Sequence, residues 1–182
     1  MRKGDFMTAI YTIGHSVRHL EKFVGILKYS NIDMVVDVRT IPWSRHNPQF
    51  NEDVLEKYLP KLGIKYTHMK ELGGLRRALS DSINLGWKEL KFRGYADYMQ
   101  TMEFEKGIDK LIDLAKKNNV VIMCSEGSPF NCHRLLVADA LVARGIKVLH
   151  IAGGSSAKEH TITSFAKVRG HKVTYPRQAD QE

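Results

Sequence analysis

The chain has 182 residues, with 28 Lys plus Arg against 20 Asp plus Glu, a formal net charge of +8 and a pI near 9.5. This length suits one domain with its own hydrophobic core, and 43% hydrophobic with 26% charged residues excludes a disordered or fibrous class. The positive excess favours anionic partners, whether nucleic acid, a phosphorylated small molecule or a membrane surface, without choosing among them. The longest apolar runs, such as Val120 to Cys124, are far too short to span a bilayer, so no membrane association by a span is expected. Arg2 and Lys3 are followed by no apolar stretch of the kind a secretory signal carries. Two cysteines, Cys124 and Cys132, are too few for a secreted disulfide framework and suit a reducing, cytoplasmic setting.

Strand-length apolar runs alternate with stretches of helical period, which is the pattern of an α/β protein. Residues 9–13 form a short β-rich run ending at Gly14, and Leu20, Phe23, Val24, Ile26 and Leu27 come next at helical spacing. Residues 32–38, with Val35, Val36 and Val38, read as a strand buried on both faces. Residues 51–62 carry an amphipathic stripe that Asn51 is placed to cap and Gly63 to end. A third strand is predicted over 64–69, then an irregular stretch over 70–93 that reads as a long functional loop or small insertion. Helical pattern resumes over 95–102 and 104–117 and leads to a strand at 120–124. The loop 125–130 feeds a helix over 132–143, capped by Asn131 and stopped by Gly145, and a fifth strand is predicted at 146–151. Residues 153–156 break the pattern, after which 165–168 and 172–175 flank Arg169-Gly170-His171, a hairpin signal with glycine where positive φ is needed. The prediction is a single α/β domain over 9–177, a mostly parallel sheet of about five strands flanked by helices, plus a C-terminal β-hairpin. Residues 1–8 and 178–182 are expected to be flexible termini.

In an open parallel sheet ligands bind at the carboxyl ends of the strands. The residues just past each predicted strand are therefore informative: Gly14-His15-Ser16 after the first, Asp37 and Arg39 and then Ser44-Arg45-His46 after the second, His68 to Gly74 after the third. Cys124-Ser125-Glu126 and then Cys132-His133-Arg134 come after the fourth, and the fifth ends at His150. Titratable residues and glycines thus collect at one edge five times in succession, although each alone has a plain structural reading. Ser16 can be a helix cap, Asp37 and Arg39 share a strand face and can be a simple ion pair, and buried cysteines are common space fillers. If Asn131 caps the helix, Cys132, His133 and Arg134 occupy a first turn whose free N–H groups attract an anion and lower the pKa of a thiol. The expected catalytic residues are His15, Asp37, Cys124, Glu126 and His133, with Cys124 the nucleophile candidate and Cys132 its alternative. Ser16, Arg39, Ser44, Arg45, Cys132 and Arg134 are the expected substrate-binding residues.

Several motifs are missing. The nearest arginine to Cys124 is Arg134, and position 130 is Phe, so a cysteine, five residues, arginine phosphatase loop is absent. Zinc on Cys124, Cys132, His133 and His15 is opposed by the seven residues between the cysteines, which is not a standard ligand spacing, and neither metal nor cofactor is expected. No P-loop lysine motif and no dinucleotide fingerprint occurs. Basic residues mixed with aromatics over 76–95 and 167–177 could track a phosphate backbone while rings stack on bases, or form a solvated face.

These residues carry a family resemblance. Tyr11-Thr12-Ile13-Gly14-His15-Ser16, Asp37-Val38-Arg39 with Pro42, Ser44 and Arg45, Leu72-Gly73-Gly74, Arg93-Gly94-Tyr95-Ala96-Asp97-Tyr98-Met99, Cys124 with Glu126, and Cys132-His133-Arg134 resemble the successive signatures of the domain-of-unknown-function family number 488. Phe165 and Val173-Thr174-Tyr175-Pro176 are similar to the ending of one subgroup, so the likeness runs from about residue 10 to 176. Ser125, where the family usually shows Ala, and Gly127-Ser128 depart from the pattern. The resemblance implies that the tail belongs to the fold and supplies no reaction. The functional expectation is an enzyme, a hydrolase or transferase, with a pocket for a phosphate-bearing or nucleotide-like anion. The alternative is a non-catalytic nucleic-acid-binding protein whose affinity lies in residues 76–93 and the hairpin.

Overall fold

The computed structural model describes residues 8–153 and 156–178. Most of the termini expected to be flexible, and Gly154 and Ser155 of the predicted break, lie outside the described residues. The chain is α/β, and six strands form one sheet: β1 (Ala9–Gly14), β2 (Met34–Asp37), β3 (Lys65–His68), β4 (Val120–Cys124), β5 (Lys147–Gly153) and β6 (Ser156–Glu159). Their order is β3-β2-β4-β1-β5-β6, with the first five parallel and β6 antiparallel to β5. The five parallel strands are those the apolar pattern predicts. It does not predict β6, whose four residues are all exposed and carry no apolar alternation.

Helices α1 (Leu20–Tyr29) and α2 (Glu52–Tyr58) cover one face, where Phe23, Leu27, Phe50 and Leu55 pack on Ile13, Val35, Val121 and Met123. Helices α3 (Leu90–Tyr98), α4 (Met102–Ala115) and α5 (Arg134–Val142) cover the other, where Tyr95, Phe104, Leu111 and Leu136 pack on Ile10, Val36, Ile122 and Val148. Alternate residues of β2 and β4 enter opposite cores, which is why those strands read as unbroken apolar runs. The hairpin β7 (Lys167–Arg169) and β8 (Lys172–Thr174) turns at Gly170 with φ 60°. The next residue, Tyr175, is buried among Trp87 and Phe165, so the tail is part of the fold.

Three local expectations are corrected. Asn51 precedes α2 but does not cap it, because its side-chain oxygen accepts from the N–H of Ser44 and ties down the loop instead. The helix continues as a 3-10 turn, Leu59–Leu62, and ends as predicted at Gly63, φ 76°. The α5 helix starts at Arg134, two residues later than predicted, because Pro129–Asn131 forms a separate 3-10 turn and Cys132 is extended. Finally, His150 lies within β5 and not at its end.

From β1 the chain crosses through α1 to β2 on one side, and from β4 it crosses through α5 to β5 on the other. Since β1 and β4 are neighbours whose crossovers leave in opposite directions, their carboxyl ends bound the natural crevice of the sheet. No helix among the described residues is long and apolar enough to cross a membrane.

Candidate functional site

A cavity of about 440 Å³ opens at that crevice. His15 and Ser16 extend the β1–β4 pairing beyond the strands, with their N–H groups donating to the carbonyls of Cys124 and Ser125 at 2.9 and 3.0 Å. Gly14 makes this possible: a Cβ there would lie 1.8 Å from the Glu126 carbonyl oxygen, so only glycine lets the Glu126 loop close over β1. Seven of the sequence-predicted residues line the cavity: His15, Arg39, Ser44, Cys124, Glu126, Cys132 and His133. Ser16, Asp37, Arg45 and Arg134 do not.

The charged residues after β2 form a closed unit. Asp37 is fully buried and accepts from the Arg39 Nε at 2.9 Å and Nη2 at 2.5 Å, from the Arg39 N–H at 3.0 Å, and from the Tyr66 hydroxyl at 2.7 Å. Arg39 Nη2 also donates to the Phe50 carbonyl at 2.7 Å. Burial, the largest single influence, opposes the Arg39 charge, but the Asp37 hydrogen bonds, the Asp37 charge and Tyr66 together outweigh it and raise its pKa, while burial and then Asp37 raise that of Tyr66. His15 stacks on Phe50 at 4.3 Å between ring centroids. Its Nδ1 lies 2.8 Å from the Ser16 carbonyl, which can only accept, so Nδ1 carries the proton and Nε2 faces Arg39 Nη1 at 3.4 Å. Burial pushes the His15 pKa down to about 4, against the hydrogen bond to Ser16, and Arg39 adds to the fall.

Arg134 is likewise spent inside the protein. It is fully buried, donating to the Glu126 carbonyl, to Thr12 Oγ1 at 3.3 Å and to Cys132 Sγ at 3.4 Å. Neither Arg39 nor Arg134 therefore offers the free forked donor expected for an anion. The predicted helix-end anion cradle is absent as well, since Cys132 precedes α5 with its N–H bonded to the Pro129 carbonyl. Behind Arg134 runs a buried chain that the sequence pattern does not reveal: Thr12 Oγ1 lies 2.7 Å from His150 Nδ1, His150 Nε2 lies 2.9 Å from His160 Nδ1, and His160 Nε2 lies 2.7 Å from Asp139. With Asp139 accepting, every neutral link is directed the same way, from Arg134 through Thr12, His150 and His160. The only signals are single polar residues inside apolar runs, Thr12 in β1 and Asp139 in α5. Burial, then His160 and Arg134, push the His150 pKa down to about 4.

On the cavity floor Cys124, Cys132 and His133 converge, with both Sγ atoms and a His133 ring nitrogen within 4.8 Å of one another. His133 Nε2 lies 2.9 Å from the Val38 carbonyl and must donate to it, which leaves Nδ1 bare in the neutral ring, 3.7 Å from Cys132 Sγ. The Cys132 thiol is pulled down to about 6, first by the Cys124 thiol donating toward it and then by the Arg134 charge, with burial opposing. Cys124 is pushed up to about 12 by the same interaction and by burial. The Arg134 Nε–H that donates to Cys132 Sγ at 3.4 Å makes Cys132, of the two sulfurs, the one favoured to ionise.

The walls contain residues that sequence reasoning does not assign to a site. Ile41, Trp43, Leu75 and Phe92 make them apolar, and Trp43 and Leu75 are 60% and 83% exposed. Lys91, Asn131 and Asn47 add polar groups at the wall. Large apolar residues in a Pro-flanked loop are the available signal for Ile41 and Trp43. Ser44 reaches the cavity, but its Oγ accepts from the N–H groups of His46 and Asn47 and shapes the loop, while Arg45 is exposed.

No curated protein and no solved structure matches the chain. The successive motifs from His19 through α5 now stand as one connected architecture, with the glycines, the Asp37–Arg39 pair and the Cys132-His133-Arg134 run in defined places. A family model described as a domain of unknown function, DUF488, matches residues 19–141, and the chain belongs to that family.

Proposed function

We propose that the chain is an enzyme of the hydrolase or transferase class, acting on a small molecule in the crevice between β1 and β4, with Cys132, Cys124 and His133 as its reactive centre. The observation that carries this reading is the convergence of two sulfurs and an imidazole nitrogen that carries no proton in the neutral ring on the floor of an open cavity. Residues that only fill space gain nothing from meeting there. Cys132 is the electron-pair donor, Cys124 keeps a proton at neutral pH, and His133 Nδ1 is the adjacent proton acceptor. Glu126, exposed at the mouth, serves as a further acid or base, and His15 shapes the wall. The apolar walls suit a flat or hydrophobic body, and Lys91 with Asn131 and Asn47 suits an anionic or polar end, so a nucleotide-like anion fits both. The reactive thiolate fits a reducing, cytoplasmic setting.

Nucleic-acid binding without catalysis is disfavoured by the state of the central arginines. Arg76 lies over the Tyr98 ring at 3.6 Å and donates to the Gly73 carbonyl, and Arg93 donates twice to the Trp87 carbonyl. The test is a turnover screen of reduced protein against nucleotides, sugar phosphates and thioesters, repeated with Cys132→Ala. Loss of a wild-type activity in a variant that keeps its fold supports the proposal. Absence of turnover, together with a steeply salt-dependent affinity for DNA or RNA that survives combined His15→Ala, Cys124→Ala and Glu126→Ala changes, contradicts it.

A further inference from the structure

Three features of the cavity floor point beyond thiol chemistry. First, the spacing is that of a ligand set: zinc–sulfur bonds of about 2.3 Å and zinc–nitrogen bonds of about 2.0–2.1 Å, at tetrahedral angles, put donor atoms roughly 3.4–3.8 Å apart. Cys132 Sγ and His133 Nδ1 already lie at 3.7 Å, and the two Sγ atoms and a His133 ring nitrogen are all within 4.8 Å of one another. Second, His133 is held as metal-bound histidines are held: its Nε2–H donates to the Val38 carbonyl, which fixes the ring and turns the Nδ1 lone pair toward the sulfurs. Third, the ring is closely packed where it stands: a Cβ at Gly74 would lie over its face, 3.0 Å from His133 Nδ1 and 3.4 Å from Cγ and Cε1, so glycine lets the ring sit in this place. Around the sulfurs, Arg134 Nε donates to Cys132 at 3.4 Å, and the Ser125 hydroxyl lies 3.9 Å from Cys124.

We propose that Cys124, Cys132 and His133 bind one zinc ion, with its fourth coordination position open to the cavity. Two thiolates and an imidazole are a soft to borderline set that suits zinc, and the two negative charges balance the ion. On binding, the Cys124 proton is released to solvent and both sulfurs donate their lone pairs to the metal. Three protein ligands and an accessible fourth position are the arrangement of catalytic, not structural, zinc sites. The inference rests on the preceding reading only for the location of the reactive centre: with the ion bound, Cys132 and His133 serve as ligands in place of nucleophile and proton acceptor, and the ion is the electrophile. The seven-residue spacing conceals it in the sequence, because residues 125–131 leave the sheet edge and return through the Pro129–Asn131 turn.

The test uses the full chain, purified without chelator from zinc-supplemented cells under reducing conditions, with metal content measured by mass spectrometry. Metal-free protein is also titrated with cobalt(II). The proposal predicts about one zinc per chain and a thiolate-to-cobalt charge-transfer band with the visible spectrum of a tetrahedral site. Cys124→Ala, Cys132→Ala and His133→Ala are each predicted to weaken binding by more than about 100-fold, the upper range for losing an outer partner alone. Gly74→Ala removes no ligand and is predicted to weaken binding too, while the exposed His46→Ala leaves it unchanged. Wild-type protein with both thiols reduced that takes up no zinc, or whose cobalt complex lacks the thiolate band, overturns the proposal. A turnover lost in Cys132→Ala but carried out by such metal-free wild type leaves the enzyme reading standing and ends the metal inference.

Discussion

Two buried polar groups sit at the same edge of the sheet, one after β2 and one after β4. In the first, Asp37 takes donors from Arg39 and Tyr66, Arg39 also reaches the Phe50 carbonyl, and His15 has Ser16 on one nitrogen and Arg39 on the other. In the second, His133 has Val38 on one nitrogen and two sulfurs near the other, and those sulfurs line the cavity. The two are equivalent as candidates in the sequence, each a charged or nucleophilic cluster just past an apolar strand. They differ in what remains unspent. A closed network uses its charge to hold three segments together, whereas an open one keeps lone pairs for something that is not part of the chain.

The sharpest way to break this contrast is Asp37→Ala. Removing the carboxylate leaves the Arg39 guanidinium buried without its partner, and a cost of about 3–5 kcal/mol is expected, read from urea unfolding. A change near zero would mean that the pair is not closed as described. The next test uses pH. His15 and His150 both have native pKa values of about 4 against an ordinary 6.5, so as pH falls the unfolded chain takes up these protons first. Their contribution to stability is complete above 6.5, is lost between 6.5 and about 4, and changes no further below that. Urea midpoints should fall across this window, with a shallower slope in His150→Gln, and equal slopes would show that His150 has no part in the pH dependence. The smallest effect is expected at the open cluster: Cys132→Ala should cost only about 1 kcal/mol of stability, the scale of one small buried group. A loss comparable to that of Asp37→Ala would make the cluster structural.

The fold is legible because each parallel strand is buried on both faces and so announces itself as an unbroken apolar run, as Met34–Asp37 and Val120–Cys124 do. The edge strand β6, with four exposed residues, has no such signature. For the site, strand-end position finds His15, Cys124, Glu126, Cys132 and His133, all of which line the cavity. It offers the Asp37–Arg39 ion pair as one of two readings, and it cannot foresee the Phe50 and Glu126 carbonyls that take further donors of Arg39 and Arg134, since backbone acceptors leave no mark in a sequence. The shift of the α5 start from Cys132 to Arg134 has a similar origin. Asn131 is a good capping residue by type, but Pro129 starts a tight turn that engages the chain before the helix begins. The chain Thr12–His150–His160–Asp139 joins residues far apart in sequence and has only the oddity of polar side chains in apolar segments to reveal it.

The central claim is that His133 holds an unspent Nδ1 while His15 does not. Nitrogen-detected long-range correlation spectra of reduced, metal-free protein, at a pH where the imidazoles are neutral, read both tautomers at once. The predicted result is His133 protonated on Nε2 with a bare Nδ1, and His15 protonated on Nδ1. A proton found on His133 Nδ1 would contradict it.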